Sequence, residues 1–131
     1  MKEVFCSLIS WLACWLVYLL GGWDVALQCL LIAIALDYIS GLMKAYTLRV
    51  LSSKIGIRGL IRKVGLLVIV MVGVLVDKVT GNTGTVRTLV IYYFVANEGL
   101  SILENLGQAG VPIPQVIKKA LKALKNTEDI K

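Results

Sequence analysis

The sequence predicts an all-α integral membrane protein with about four transmembrane helices and a short, basic, amphipathic helix near its C-terminal end. Of its 131 residues, 58% are hydrophobic and only 17% are charged, whereas an average soluble domain is about 45–50% apolar and about 25% charged. The apolar residues form runs of membrane-spanning length, and the basic residues are concentrated in two regions. We expect a transmembrane helical domain over residues 1–111 and a cytoplasmic basic amphipathic tail over residues 112–131.

Four apolar segments define the expected helices, at residues 4–20, 25–46, 64–76 and 86–106. A spanning helix needs about 20 residues. The first two segments meet this length. The third does so only if its helix begins upstream, near Gly59, with Arg62 and Lys63 snorkelling to the interface after an interfacial turn. The fourth is long enough but contains Glu98 and Glu104, so three spans plus a surface helix is the alternative.

The distribution of basic residues favours four spans. Cytoplasmic loops of membrane proteins are enriched in Lys and Arg. Residues 44–63 contain six basic and no acidic residues, whereas residues 21–24 contain no basic residue. Four spans with both termini in the cytoplasm place 12 of the 14 basic residues inside. Topology and anionic membrane lipids therefore explain the net charge of +6, and we expect no nucleic-acid partner.

The first helix has two chemically different faces. Ser7, Ser10 and Cys14 form a small, weakly polar face, and Trp11 and Trp15 lie on the opposite side. Small residues allow membrane helices to approach closely, and hydroxyl groups can form hydrogen bonds across the contact. This face predicts helix packing, either within the subunit or between copies of the chain.

The second helix places Asp37, Ser40, Gly41 and Lys44 on one face, because these residues follow offsets 0, 3, 4 and 7. Ser40 and Gly41 predict another packing contact. Asp37 lies about 20 Å along the helix from Asp24, given a rise of about 1.5 Å per residue. Asp37 could pair with Lys44, serve as a structural partner for the basic loop, or face a pore or another subunit.

The fourth helix carries a polar stripe, formed by Asn97, Glu98, Ser101, Glu104, Asn105 and Gln108. A charged side chain at the centre of a bilayer costs about 2.5–3.5 kcal/mol on insertion scales. Such a stripe must face water, pair with other groups or meet another helix, and identical copies are a natural source of partners. We therefore predict a homo-oligomer, with pore-lining or interface residues Asp37, Asn97, Glu98, Ser101, Glu104 and Asn105.

The C-terminal region predicts a helix that attaches to lipid. Pro112 and Pro114 precede it, as proline does at the start of helices. An apolar stripe then accompanies a basic stripe formed by Lys118, Lys119, Lys122 and Lys125. A basic amphipathic helix of this kind binds the surface of an anionic membrane. The alternative is a solvated tail.

Three runs of residues resemble the toxin-secretion and phage-lysis holins. They are residues 37–41 (DYISG); residues 52–54 with Gly56, Gly59, Leu60 and Lys63; and, after Asp77, residues 97–105 (NEGLSILEN) followed by the GVPIP turn at residues 110–114. The resemblance extends over roughly residues 23–125. It implies a protein of the bacterial host cytoplasmic membrane, encoded by a phage or prophage, that oligomerises and opens lesions. Endolysin or toxin would then be its passing cargo.

Other functional classes have weaker support in the sequence. The chain contains no His and no CxxC motif, so we expect no metal, no cofactor and no enzymatic activity. The three cysteines are expected to be small buried hydrophobic residues. Two alternatives to a holin are a small proton-coupled transporter, with Glu98 as its coupling carboxylate, and a membrane anchor or scaffold.

Overall fold

A computed structural model describes residues 1–126, except for the side chains of Leu121, Leu124, Lys125 and Asn126. Within residues 1–126 there are five α-helices: α1 (Lys2–Leu19), α2 (Val25–Thr47), α3 (Ser53–Thr80), α4 (Thr85–Gln108) and α5 (Gln115–Asn126). The first four are long and apolar enough to cross a membrane. The prediction of an all-α membrane protein with four candidate spans and a short C-terminal helix is confirmed.

The third helix begins earlier than the sequence suggested. It begins at Ser53, not near Gly59, so the expected interfacial turn is wrong. The side chain of Ser52 accepts a hydrogen bond from the backbone N–H of Ile55 at 3.4 Å, as an N-cap does. The 28 residues of α3 span about 42 Å, more than the hydrocarbon thickness of about 30 Å. The basic first turns of α3 can therefore lie outside the hydrocarbon.

Helix α4 packs against both α2 and α3 and lies at the centre of the fold. Leu27 and Leu30 of α2, Val70 of α3 and Ile91 of α4 are fully buried in the shared apolar core. Gly73 allows α3 and α4 to approach closely, because a Cβ atom there would lie 3.2 Å from the Cα of Arg87. These three helices form a bundle that encloses the polar groups described below.

Helix α1 stands apart from this bundle. None of its residues is buried. The hydroxyl groups of Ser7 and Ser10 donate to carbonyl oxygens of α1 itself, at 2.8 and 2.9 Å. Their face, which includes Cys14, therefore makes no packing contact within the subunit, and its role between subunits stays a prediction. The expectation of buried cysteines is wrong within one subunit, because all three are exposed.

The connection between α2 and α3 contains a residue in an unusual conformation. Arg49 has a φ of 55°, in the left-handed region, and it is the one non-glycine residue with positive φ among residues 1–126. The N–H of Val50 bonds to the carbonyl of Ala45 at 2.9 Å, as in the helix ending that usually places glycine at this position. A non-glycine residue there costs roughly 1–3 kcal/mol.

The C-terminal helix begins at Gln115, directly after Pro114, as predicted. It contacts α4, and Lys119 and Lys122 are exposed while Lys118 is half-buried. The side chain of Lys125 and residues 127–131 of the predicted tail lie outside the described residues.

Candidate functional site

Polar side chains inside the bundle form two separate groups. The Lys63 cluster consists of Asp37, Ser40, Lys63, Glu98 and Asn105 and lies among α2, α3 and α4. The Arg87 cluster lies at the end of the bundle that contains the α1–α2 and α3–α4 connections. It consists of Asp24, Asp77 and Arg87, together with the backbone carbonyls of Leu20 and Gly22.

One ammonium group serves two carboxylates in the Lys63 cluster. The Nζ atom of Lys63, on α3, donates hydrogen bonds to Oδ2 of Asp37 on α2 and to Oε2 of Glu98 on α4. The side chains of Lys63, Asp37 and Glu98 are only 14%, 10% and 5% exposed. Because each residue comes from a different helix, this ion-pair triad connects all three helices of the bundle.

Asn105 completes the Lys63 cluster. Its Nδ2 donates to Oδ1 of Asp37 and to the hydroxyl of Ser40, both at 3.2 Å. The Ser40 hydroxyl donates in turn to the backbone carbonyl of Asp37 at 3.0 Å. Gly41 lies alongside, since a Cβ atom there would be 3.6 Å from Nδ2 of Asn105. The predicted packing residues Ser40 and Gly41 thus lie at the contact between α2 and α4.

The polar stripe predicted on α4 is divided between two surroundings. Glu98 is buried against α2 and α3, and Asn105 turns toward α2. Asn97 and Ser101 are half-buried, whereas Glu104 and Gln108 are exposed. Asp37, Glu98 and Asn105 therefore come together, and Glu104 does not join them. The proposed role of all six residues at a pore or an interface stays a prediction.

Lys63 is the residue of this cluster whose surroundings differ from those that the sequence predicted. It was expected at the interface, but α3 begins ten residues earlier, at Ser53, so Lys63 lies about 15 Å inside the helix. A cation at that depth needs a partner, and recognising Ser52 as the helix cap would have indicated this. Asp37 pairs with Lys63 and not with Lys44, so it is a structural partner for the end of the basic region.

A cleft of about 330 Å³ reaches the Lys63 cluster from the α2–α3 connection. Polar groups of Asp37, Lys63 and Asn105 lie along one part of it. The rest is formed largely by apolar and small residues of α2, the connection and α3, including Leu42, Ala45, Val50, Ile55, Gly56 and Gly59. Lys44 also lines the cleft. Asp37 and Lys63 are therefore adjacent to open space on this side.

The Arg87 guanidinium is the centre of the second cluster and donates four hydrogen bonds. Nη1 and Nη2 donate to the carboxylate of Asp24 at 2.6 and 3.1 Å. Nε donates to the carbonyl of Leu20 at 2.6 Å, and Nη2 also donates to that of Gly22 at 3.2 Å. Arg87 thereby connects α4 to the link between α1 and α2.

The neighbouring backbone is shaped to receive this guanidinium. Asp77 of α3 accepts hydrogen bonds from the N–H groups of Val86 and Arg87 at 3.0 and 2.8 Å, and so caps the start of α4. Gly21 has a φ of +87°, and a Cβ atom there would lie 2.5 Å from Nε of Arg87. Glycine is therefore required at this position for both its conformation and its lack of a side chain.

The Arg87 guanidinium holds the pKa of Asp24 below its usual value, and the hydrogen bond from the N–H of Leu27 acts in the same direction. Partial burial opposes this shift. The Asp24 side chain is half-exposed, so solvent screening keeps its contribution to stability small.

The two clusters are polar groups paired with one another inside a helical bundle. Within residues 1–126, no three Cys, Asp or Glu side chains lie close enough to hold a metal ion. Comparison with known proteins then identifies the family. Residues 14–126 match the bacteriophage holin family. The chain belongs to this family. The matched region contains α2, α3 and α4, both polar clusters and the C-terminal part of α1.

Curated relatives of this holin-family protein come from bacteria and a phage. An uncharacterized 14.9 kDa protein of Clostridium perfringens, from the nagH 3′ region, is 44% identical over 83% of each chain. A protein of Bacillus phage phi105 named "Probable holin" is 34% identical over 80% of this chain and 78% of the phage protein. The uncharacterized protein YqxH of Bacillus subtilis is 34% identical over 86% and 80%. No solved structure matches the chain.

Membership of the holin family agrees with the resemblance seen in the sequence. The chain is a holin-like membrane protein with several candidate spans, and its family is not a family of enzymes.

Proposed function

We propose that this protein oligomerises in the bacterial cytoplasmic membrane and permeabilises it, so that an endolysin reaches the cell wall or a toxin leaves the cell. The observation that carries this proposal is the match to the holin family over residues 14–126, together with the phage relative named "Probable holin". The buried carboxylates of the Lys63 cluster support it, because ionisable groups inside a membrane are costly and usually have a functional role.

The proposed orientation places both termini in the cytoplasm. The basic residues support it, since 12 of the 14 would lie inside. The connections at residues 21–24 and 81–84 would then lie outside, and the Arg87 cluster would lie near the outer surface. Reporter fusions at Lys131 and at Asn82 test this orientation. An external C-terminus would contradict the four-span arrangement.

The proposed lesion uses the polar residues that one subunit keeps covered. In the subunit, the ammonium group of Lys63 pairs with the carboxylates of both Asp37 and Glu98. Ion pairs in a poorly solvated interior lose much of their attraction to desolvation, and access to water removes that cost. We propose that α3 separates from α2 and α4 as copies assemble. Water then solvates Asp37, Glu98 and Asn105, and the neighbouring Asn97, Ser101 and Glu104 extend the wetted wall.

The basic face of α5 is proposed to hold the C-terminal region on anionic lipid. Lys119 and Lys122 are exposed and Lys118 is half-buried, and each basic residue near an anionic surface contributes about 1 kcal/mol. Changing Lys118, Lys119, Lys122 and Lys125 to Gln should weaken lipid attachment and shift the time of lysis without preventing insertion. Failure of this variant to insert would contradict the proposed role of the tail.

Expression of the chain alone in a bacterium, with entry of a membrane-impermeant dye followed over time, tests the proposed function. A holin predicts a delay followed by sudden, all-or-none entry in each cell. Gradual entry from the start of expression would favour a transporter with Glu98 as its coupling carboxylate. No entry at high membrane levels would favour an anchor or scaffold. Either of these results would contradict the proposal.

A further inference from the structure

The connection between α2 and α3 carries basic residues at two positions where the fold favours other residue types. Arg49 occupies a left-handed position that glycine fills without strain. Lys54 lies in the first turn of α3, which contains no acidic residue, although the partial positive charge of a helix N-terminus favours acidic side chains there. Neither cation is explained by the stability of the fold. Topology accounts for positive charge in this connection, but not for its placement at these two positions.

Neither residue lines the cleft between α2 and α3, but each is next in the chain to a residue that does. Their chain neighbours Val50 and Ile55 line it, and Lys44 lines it as well. Among the described residues, the charged groups of Lys44, Arg49 and Lys54 form no ion pair and no hydrogen bond. By contrast, the ammonium group of Lys63, which also lines the cleft, is paired with the carboxylates of Asp37 and Glu98. The unpaired positive charge is therefore concentrated toward the α2–α3 connection.

The remaining surface of the cleft is apolar. Leu42, Ala45, Val50 and Ile55 contribute to it, and Gly56 and Gly59 leave room beside Tyr38. A cleft of about 330 Å³ is of the size that holds small organic ligands. One unpaired cation in the lining, Lys44, and two at chain positions next to the lining, Arg49 and Lys54, are complementary to an amphiphile with an anionic head. In a protein with four candidate membrane spans, the amphiphile at hand is a phospholipid.

We propose that this cleft binds one anionic phospholipid. The phosphate group lies against Arg49, Lys54 and Lys44, and an acyl chain lies along Leu42, Ala45, Val50 and Ile55. Asp37 also lines the cleft, but its carboxylate is held by Lys63 and Asn105 and is therefore turned to those partners. The site is separate from the basic face of α5 and does not depend on lesion formation.

Native mass spectrometry of the full chain in neutral detergent tests this site. The chain is titrated with dioleoylphosphatidylglycerol and, in parallel, with dioleoylphosphatidylcholine. We expect one phosphatidylglycerol molecule to be retained per chain in preference to phosphatidylcholine. Arg49→Gly should weaken this binding about fivefold, since a basic residue near an anionic lipid contributes roughly that factor. Its thermal stability should be unchanged or higher, because glycine relieves the left-handed position.

The matched control is Lys2→Gln, which removes one exposed positive charge from the end of α1, away from the cleft. It should leave phosphatidylglycerol binding unchanged. Equal losses in Lys2→Gln and Arg49→Gly would overturn the site in favour of general charge attraction. Equal retention of the two lipids would also overturn it. Displacement of phosphatidylglycerol by millimolar inorganic phosphate would overturn the lipid as ligand and assign the cations to a soluble anion.

Discussion

The Arg87 and Lys63 clusters both hold a largely buried cation among α2, α3 and α4, but they satisfy its charge in different ways. Arg87 donates to backbone carbonyls as well as to Asp24, and Asp77 accepts only from backbone N–H groups. Lys63 contacts only side chains, and it serves two carboxylates at once. Bonds to backbone fix where helices begin and end, whereas bonds between side chains can be exchanged without unwinding a helix.

The two clusters also differ in how many carboxylates each cation pairs with. Arg87 pairs with a single, half-exposed carboxylate, whereas Asp77 is neutralised by the N-terminal N–H groups of α4. In the Lys63 cluster, two carboxyl groups, those of Asp37 and Glu98, share the single cation of Lys63. The first arrangement is suited to holding the ends of helices together. The second is suited to a change of surroundings in which water replaces Lys63.

The largest effect is expected when the Arg87 cluster is broken. Arg87→Met should lower the free energy of unfolding by about 3–5 kcal/mol, because the buried guanidinium loses four hydrogen bonds and each is worth about 1 kcal/mol. The carbonyls of Leu20 and Gly22 would also lose their donor. Thermal unfolding in detergent and the level of protein in the membrane measure this loss.

Lys78→Met is the control for that variant. It also removes a cation at this end of the bundle, but Lys78 is exposed and lies 4.6 Å from the centre of the Tyr18 ring. Its loss should cost no more than about 1 kcal/mol. Similar destabilisation by both variants would show that the Arg87 cluster has no special structural role.

A smaller loss of stability is expected at the Lys63 cluster, together with a recovery that distinguishes it from the Arg87 cluster. Lys63→Met should cost about 2–3 kcal/mol, because two buried carboxylates lose a charged donor. Glu98→Gln in the same chain removes one of them and should restore part of the loss. The double-mutant cycle should therefore show a coupling of about 0.5–3 kcal/mol. Additive effects in thermal unfolding would contradict the shared ion-pair triad.

The smallest effect concerns the pH dependence of the Arg87 cluster. Because the pKa of folded Asp24 lies below the usual value near 3.8, its ion pair stabilises the fold above that pH. This contribution disappears as the pH falls through the lowered pKa. Asp24→Asn keeps a helix-capping side chain but lacks the charge. Its free energy of unfolding should depend less on pH between about 5 and 2, and the difference from the wild type should be no more than about 1 kcal/mol. An unchanged pH profile would contradict the pairing.

The sequence predicted the helices and, among the described residues, three of the five buried polar residues, Asp37, Ser40 and Glu98, for one physical reason. Apolar length and helical period are local properties, so four spans, Asp37 and Glu98 were recognisable. The partners of Arg87 were not, because Asp24 and Arg87 are 63 positions apart and no local spacing connects them. Arg87 is one of the two basic residues that the four-span orientation leaves outside, and nothing in its local sequence indicates that the fold buries it. The capping role of Asp77 could not be predicted from local sequence either, because Asp77 lies on α3 and caps the start of α4.

The most direct test of the central claim, that the Lys63 cluster supplies the wall of the lesion, is the onset of dye entry at matched membrane levels. Glu98→Gln, the matched control in shape and hydrogen bonding, should still permeabilise the membrane with a shifted onset. Glu98→Leu should accumulate but permeabilise poorly, because an apolar wall disfavours water. Wild-type timing in Glu98→Leu would contradict the claim, place Glu98 in packing alone and make Asp37 the next candidate.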